Sequence, residues 1–353
     1  MRIFRSSWWL AVLVLGGWCG QLSGQVTGGQ RVFGFLQLPV SARLTALGGH
    51  QLGVRDEDPA FAWSNPAVLN PSMHGRVNAN HQWYVADISG GYASAAFRSK
   101  AWDATLHGGI RYLSYGDFQG TDPTGLATEP FRAGEYAVVA GIGKQLYERL
   151  SVGANIRLVT ARYERYQSTG MTADVGVLYH DTTRLLHLSL VLQHMGWQMR
   201  PFLEGVREPL PFEAQLGLTK RLRHMPFRLG IVYRYLDRWN ISYDDPSAAE
   251  PGVFGFGEPG AVSDGSSWVD NLARHFVFNG EFLLGRGETL RLGLGYNHLH
   301  RKELQLENLR SLAGFSMGVG VRIRRFQLTY GRSVAHLGAG TNHFSLTFNL
   351  PKT

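Results

Sequence analysis

The feature that most constrains this chain is a period-two alternation of apolar and polar residues, repeated from about residue 74 to its end. Phe212, Ala214, Leu216 and Leu218 fall on one side of an extended chain, with Glu213, Gln215 and Gly217 on the other. Leu290, Leu292, Leu294 and Tyr296 alternate in the same way with Arg291, Gly293, Gly295 and Asn297. So do Phe344, Leu346, Phe348 and Leu350 with Ser345, Thr347 and Asn349. Successive side chains of a strand point to opposite faces, so every such segment has one oily face and one polar face. About fourteen segments fit, from 74–85, through 225–238 and 288–300, to 341–350. Most reach the roughly 9–11 residues that a tilted membrane strand needs, where soluble strands run to about five or six. The expected fold is all-β: a transmembrane, antiparallel, up-and-down β-barrel over residues 74–353, preceded by an N-terminal plug. Closure also removes the exposed edges that so many strands would otherwise present.

Connections alternate between short turns, at 99–102, 148–149, 181–183, 223–224, 285–287 and 324, and longer ones, at 116–132, 198–210, 239–272 and 301–310. Such asymmetry predicts a periplasmic short-turn rim and an outer long-loop rim, with both mature termini on the short-turn side. The short turns carry arginines, among them Arg149, Arg184, Arg223, Arg286 and Arg324, while the long loops hold acids such as Asp122, Asp244 and Asp264. The net charge of +8 is therefore spread over turns and inward strand positions rather than gathered into a nucleic-acid-binding patch. Glycine supplies 44 of 353 residues, above the roughly 7% average, and charged residues are 18%, below the usual quarter or so. Inward Arg111, Arg157, Arg228, Arg234 and Arg291, facing Glu213 and Glu281, predict a filled lumen. Aromatics near strand ends, including Tyr84, Trp102, Tyr147, Tyr163, Trp197 and Tyr235, predict interfacial girdles.

Residues 1–24 read as an export signal: Arg2 and Arg5, an uncharged apolar stretch from Trp8 to Trp18, then small residues before Gln25. Cys19 is the one cysteine, and bulky Trp18 beside it argues against lipidation. The mature chain then has no disulfide and no Cys-ligated metal. Residues 25–73 fall outside the alternating array, because Pro39, Pro59, Pro66 and Pro71 forbid a regular central strand. Ser41 is placed to cap a short helix through Leu47, stopped by Gly48 and Gly49. This stretch is expected to be a plug or hatch in the barrel mouth.

No motif for chemistry survives its context. Gly314-Phe315-Ser316-Met317-Gly318 matches a nucleophile elbow but lies inside alternation, with no helix after it. Gly141 to Lys144 lacks phosphate-loop spacing. Asp56, Glu57 and Asp58 lack the distal ligand of a calcium loop and read as a solvated turn. His298 and His300 share a predicted strand face without a third metal ligand. The chain is expected to be no enzyme and to need no cofactor or metal.

The segment FLQLPVSARLTALGG followed by NPAVLNP resembles the start of the PorV/PorQ family of the type IX secretion system of Bacteroidetes, itself similar to FadL-type transporters. The family pattern falls on Pro39, Ser41, Ala42, Arg43, Gly48, Gly49, Asn65, Pro66 and Ala67. Residues 204–246 look more like the PorQ branch than the PorV branch. That resemblance implies a FadL-like outer-membrane barrel that holds a PorZ-like surface protein in an attachment complex with PorU and PorV, linking cargo to anionic lipopolysaccharide. It supplies no catalytic residues. The alternative is a FadL-like transporter of hydrophobic small molecules. For partner docking, the 239–272 loop is the expected element, with Trp239, Phe254, Phe256 and Trp268 as its apolar anchors.

Overall fold

The structure is a computed structural model that describes residues 31–122, 124–241, 268–304, 312–336 and 339–350. Its strands run from β1 (Arg76–Trp83) to β14 (Ala339–Asn349), and all fourteen form one closed antiparallel barrel in sequence order. β1 closes on β14, in register from Arg76 opposite Asn349 to Trp83 opposite Asn342. The alternation decides which side faces out. Ile110 and Leu294 are 60% and 56% exposed on the outer face, with no protein to cover them, whereas Glu213 and Gln215 are fully buried on the inner one. An outer band of this kind is stable only against lipid.

The lumen is occupied by residues 31–75. Val32 N–H donates to Pro209 O at 3.2 Å, which puts the first described residues at the long-loop rim. At the other end Leu350 N–H donates to Gly75 O at 2.8 Å, on the short-turn rim. The expectation that both mature termini share the short-turn side falls on residues outside the described ones, but the first described residues lie at the opposite rim from Leu350. From residue 31 the plug threads the barrel from one rim to the other before β1 starts.

Local sequence chemistry folds the plug. Ser41 Oγ accepts from Leu44 N to open α1 (Ala42–Ala46), and Gly48 and Gly49, at φ of 79° and 87°, end it. Three short 3-10 turns follow, Pro59–Trp63, Pro66–Val68 and Pro71–Met73, each with proline at its start. Asp58, Asn65 and Asn70 cap them through their side chains. Irregular backbone in a lumen must find partners in the wall. Here Ser345 Oγ accepts from Ala42 N at 2.8 Å, and Asn155 and Gln193 donate to Ala62 O and Ser64 O at 2.8 and 2.6 Å.

Two strands end earlier than the alternation predicts. β9 (Phe227–Tyr233) stops before 238 because Tyr235 adopts a left-handed φ of 55° and leaves the wall. β11 (Leu290–Asn297) stops where the Asn297 side chain accepts from His300 N and opens a short helix, His298–Glu303. His298 and His300 thus stand on a helix rather than on a strand face.

Candidate functional site

A salt-bridge network locks the plug near the short-turn rim. Arg43 lies between Asp56 (2.7 Å) and Glu281 (2.7 Å), and Arg228 reaches Glu281 at 2.9 Å and Asp56 at 3.7 Å. Glu57 pairs with Arg76 and Arg322. The solvated-turn reading of residues 56–58 is corrected: inward arginines of the wall meet these acids, and Asp58 is itself buried. Farther up, Arg234 makes a bidentate pair with Glu213, at 2.7 and 2.8 Å, while Arg157 pairs with fully buried Asp174. Arg111 has no carboxylate partner among the described residues and sits instead over the rings of Phe35 (5.3 Å) and Trp63 (5.1 Å). Among those residues no cluster of His, Cys, Asp or Glu is arranged to hold a metal ion.

Ser316 belongs to the same plug contacts. It lies in β12 (Phe315–Ile323), accepts from Gly48 N at 2.9 Å and donates to Ala46 O at 3.1 Å. The other family-pattern residues also face the wall. Asn65, Pro66 and Ala67 lie over Gly176 and Gly153, and Ala42 lies over Gly331. Pro39 and Gly49 line a cavity, as does Gly48 beside its wall contact with Ser316.

Above the locked region, plug and wall separate around two adjacent cavities. The larger, about 680 Å³, opens at the long-loop rim between Phe33 and Phe35 of the plug and Tyr115, Tyr163 and Phe202 of the wall and loop. Its walls are mainly apolar, with Arg31, Glu135 and Glu208 as the charged residues among them, and Glu135 accepts from Tyr115 Oη at 2.7 Å. The smaller, about 370 Å³, is more enclosed, with His50, Arg234, Tyr235 and His300 among the residues on its surface. Burial, and then the charge of Arg234, push the His300 imidazole down to about 4, so it is neutral at ordinary pH. Leu38 and Tyr84 line both cavities. Tyr84, Tyr163 and Tyr235 therefore line the lumen, which corrects their assignment to interfacial girdles; Trp102, Tyr147 and Trp197 are exposed on the outer face. Strand parity alone could not find this site, because half of it is built from the non-periodic plug.

Of the expected docking anchors, Phe254 and Phe256 lie outside the described residues. Trp239 and Trp268, 45% and 65% exposed, face each other with ring centroids 6.0 Å apart at the long-loop rim. Trp268 opens α2 (Trp268–Arg274), whose Asp270 accepts from Arg274 at 2.8 Å and pairs with Lys302 at 3.0 Å. That ties α2 to α3 (His298–Glu303).

No family model and no curated protein matches this sequence. Among solved structures, the chain is similar to CymD, a monoaromatic hydrocarbon channel, with TM-score 0.51 and 14% identity over 90% of this chain and 99% of that one. It is also similar to the Pseudomonas putida toluene transporter TodX, with TM-score 0.51 and 11% identity over 88% of this chain and 96% of that one. A TodX mutant monoaromatic hydrocarbon channel gives TM-score 0.52 and 13% identity, covering 88% of this chain and 99% of that one. At such identities the likeness carries the fold alone, and by fold this chain is similar to hydrocarbon channels over most of its length.

Proposed function

We propose that this protein is an outer-membrane channel of a Gram-negative bacterium that takes up small hydrophobic molecules through the aromatic cavity at its long-loop rim. The observation that carries this reading is the cavity itself. Its size lies within the roughly 300–1,000 Å³ of small-ligand pockets, and its lining is predominantly apolar and aromatic, as such pockets require. The fold shared with proteins named as toluene and monoaromatic hydrocarbon channels supports the same class of cargo. Binding of a fluorescent naphthylamine to the full chain in nanodiscs tests it. Phe202→Asp removes an aromatic wall and should weaken binding about tenfold or more, the scale of one buried aromatic side chain. No saturable binding, or equal binding by the variant, would sink the reading.

A second reading is the anchoring of a PorZ-like surface protein, with PorU and PorV, in a type IX attachment complex. It is supported by the exposed Trp239–Trp268 pair, since clustered aromatics of this kind make interface hot spots. Trp268→Ala should release the surface protein from solubilised membranes, and full retention would count against this role. We propose no catalytic role for Ser316, whose hydroxyl both accepts from and donates to plug backbone.

A further inference from the structure

The short-turn rim carries exposed cations that the fold leaves without carboxylates. Lys100, Arg286, Arg324 and Arg325 are exposed and make no ion pair among the described residues. Three acids of neighbouring turns are already engaged: Asp103 with Arg98, Asp181 with Arg149 at 3.3 Å, and Glu288 with Arg221 at 2.8 Å. Arg324 and Arg325 are adjacent on a tight turn, where two like charges repel unless an anion lies between or beside them.

Their neighbours fix what that anion is. Trp102, in the same turn as Lys100, is 62% exposed, and Ile323 and Phe326, on either side of the Arg324–Arg325 pair, are also exposed on the lipid face. A cation one residue from the edge of an apolar band stands at headgroup depth, where long basic side chains reach up to phosphate. An acidic protein would have to dock on the rim's end face, whereas these side chains flank the outward-facing residues.

We propose that the short-turn rim binds anionic phospholipid headgroups, of the phosphatidylglycerol type, in the leaflet that meets it. The proposal rests on the membrane-spanning reading of the barrel. Each basic side chain near an anionic surface is worth about a fivefold preference. The preference should fall with salt, because a Debye length is only about 10 Å at 0.1 M ionic strength.

The test uses the full chain, inserted first into neutral phosphatidylcholine bilayers, extracted in mild detergent, and offered phosphatidylglycerol and phosphatidylcholine in competition. Retained lipid is read by native mass spectrometry. The wild type should keep phosphatidylglycerol preferentially at low salt. K100Q/R286Q/R324Q/R325Q should lose about tenfold or more of that preference while keeping heat-modifiable migration and β-rich circular dichroism. The smaller R324Q/R325Q variant serves if the larger one does not fold. Equal preference in wild type and variant overturns the proposal. A wild type indifferent to headgroup charge also overturns it and leaves the rim to an acidic protein. Failure of the wild type to insert into neutral bilayers would instead defeat the membrane-spanning reading, and that step is scored before any anionic lipid is added.

Discussion

At Gly153 a single added methyl group would overlap the backbone of Pro66, and at Gly331 it would overlap the carbonyl of Ala42. These inward glycines mark where the plug presses on the wall, which gives the chain's high glycine content a structural purpose. Gly153→Val should force the plug outward at an overpacking cost of about 1–3 kcal/mol and raise conductance in planar bilayers. Gly108→Val, where a side chain would meet only a carbonyl at 3.9 Å, should leave conductance unchanged. If both variants behave like wild type, the Pro66 contact does not hold the plug. Trp63 shows what was hidden from the sequence. Parity places Arg111 and Arg157 inside, but not the ring between them, which lies 5.1 Å and 4.3 Å from their guanidinium carbons. Trp63 belongs to a proline-punctuated segment with no period from which its facing could be read.

Strands were the legible elements, because a buried or lipid-covered face allows only one parity and a one-residue slip would reverse every side chain. Leu216 and Leu292 point outward as the alternation requires. Arginine at either position should cost about 2–4 kcal/mol near the bilayer midplane, measured by reversible unfolding from lipid, and tolerance at both would contradict the outward assignment. What failed to be legible was set by single residues at strand ends: the left-handed Tyr235 that ends β9, and the Asn297 cap that turns the end of β11 into α3. Asp56 reads as solvated in the sequence for a different reason, since its wall partners Arg228 and Arg291 come from distant parts of the chain. The α2–α3 contact has its own pH signature. Burial raises the Asp270 carboxyl, but hydrogen bonds from Lys302, Arg274 and His298 outweigh it and bring the group down to about 2. A folded value below the unfolded one contributes stability above the unfolded value of 3.8, and that stability is lost as pH falls toward about 2. Protection of 268–274 from proteolysis by an acid-tolerant protease should therefore weaken over that interval in wild type and be absent at higher pH in Asp270→Asn. Unchanged protection throughout would show that the carboxylate does not hold the two helices together.

For the molecule as a whole, the decisive fact is the direction in which the plug threads the barrel. Its first described residues lie at the long-loop rim and form one wall of the aromatic cavity, while the salt-bridge network fixes its later part near the opposite rim. Under the proposed uptake role, a ligand arriving at the long-loop rim meets residues 31–38, which lie outside the salt-bridge network, first. A route to the other rim, under that role, runs past residues 31–38 by their displacement or past the Arg43–Asp56–Glu281 lock by its release. The two routes predict different effects of the same variants. Arg31 lines the cavity, and Cys19 is the chain's one native cysteine, so Arg31→Cys in a Cys19→Ser background gives a single site for an impermeant maleimide. In intact cells the label should attach from outside, and a bound naphthylamine should slow it, because the probe would occupy the space beside residue 31. Asp56→Asn weakens the lock without touching the cavity. It should leave labelling unchanged and increase conductance if the lock gates passage. Labelling only after the outer membrane is permeabilised would put residue 31 on the short-turn side and reverse the threading on which the site depends.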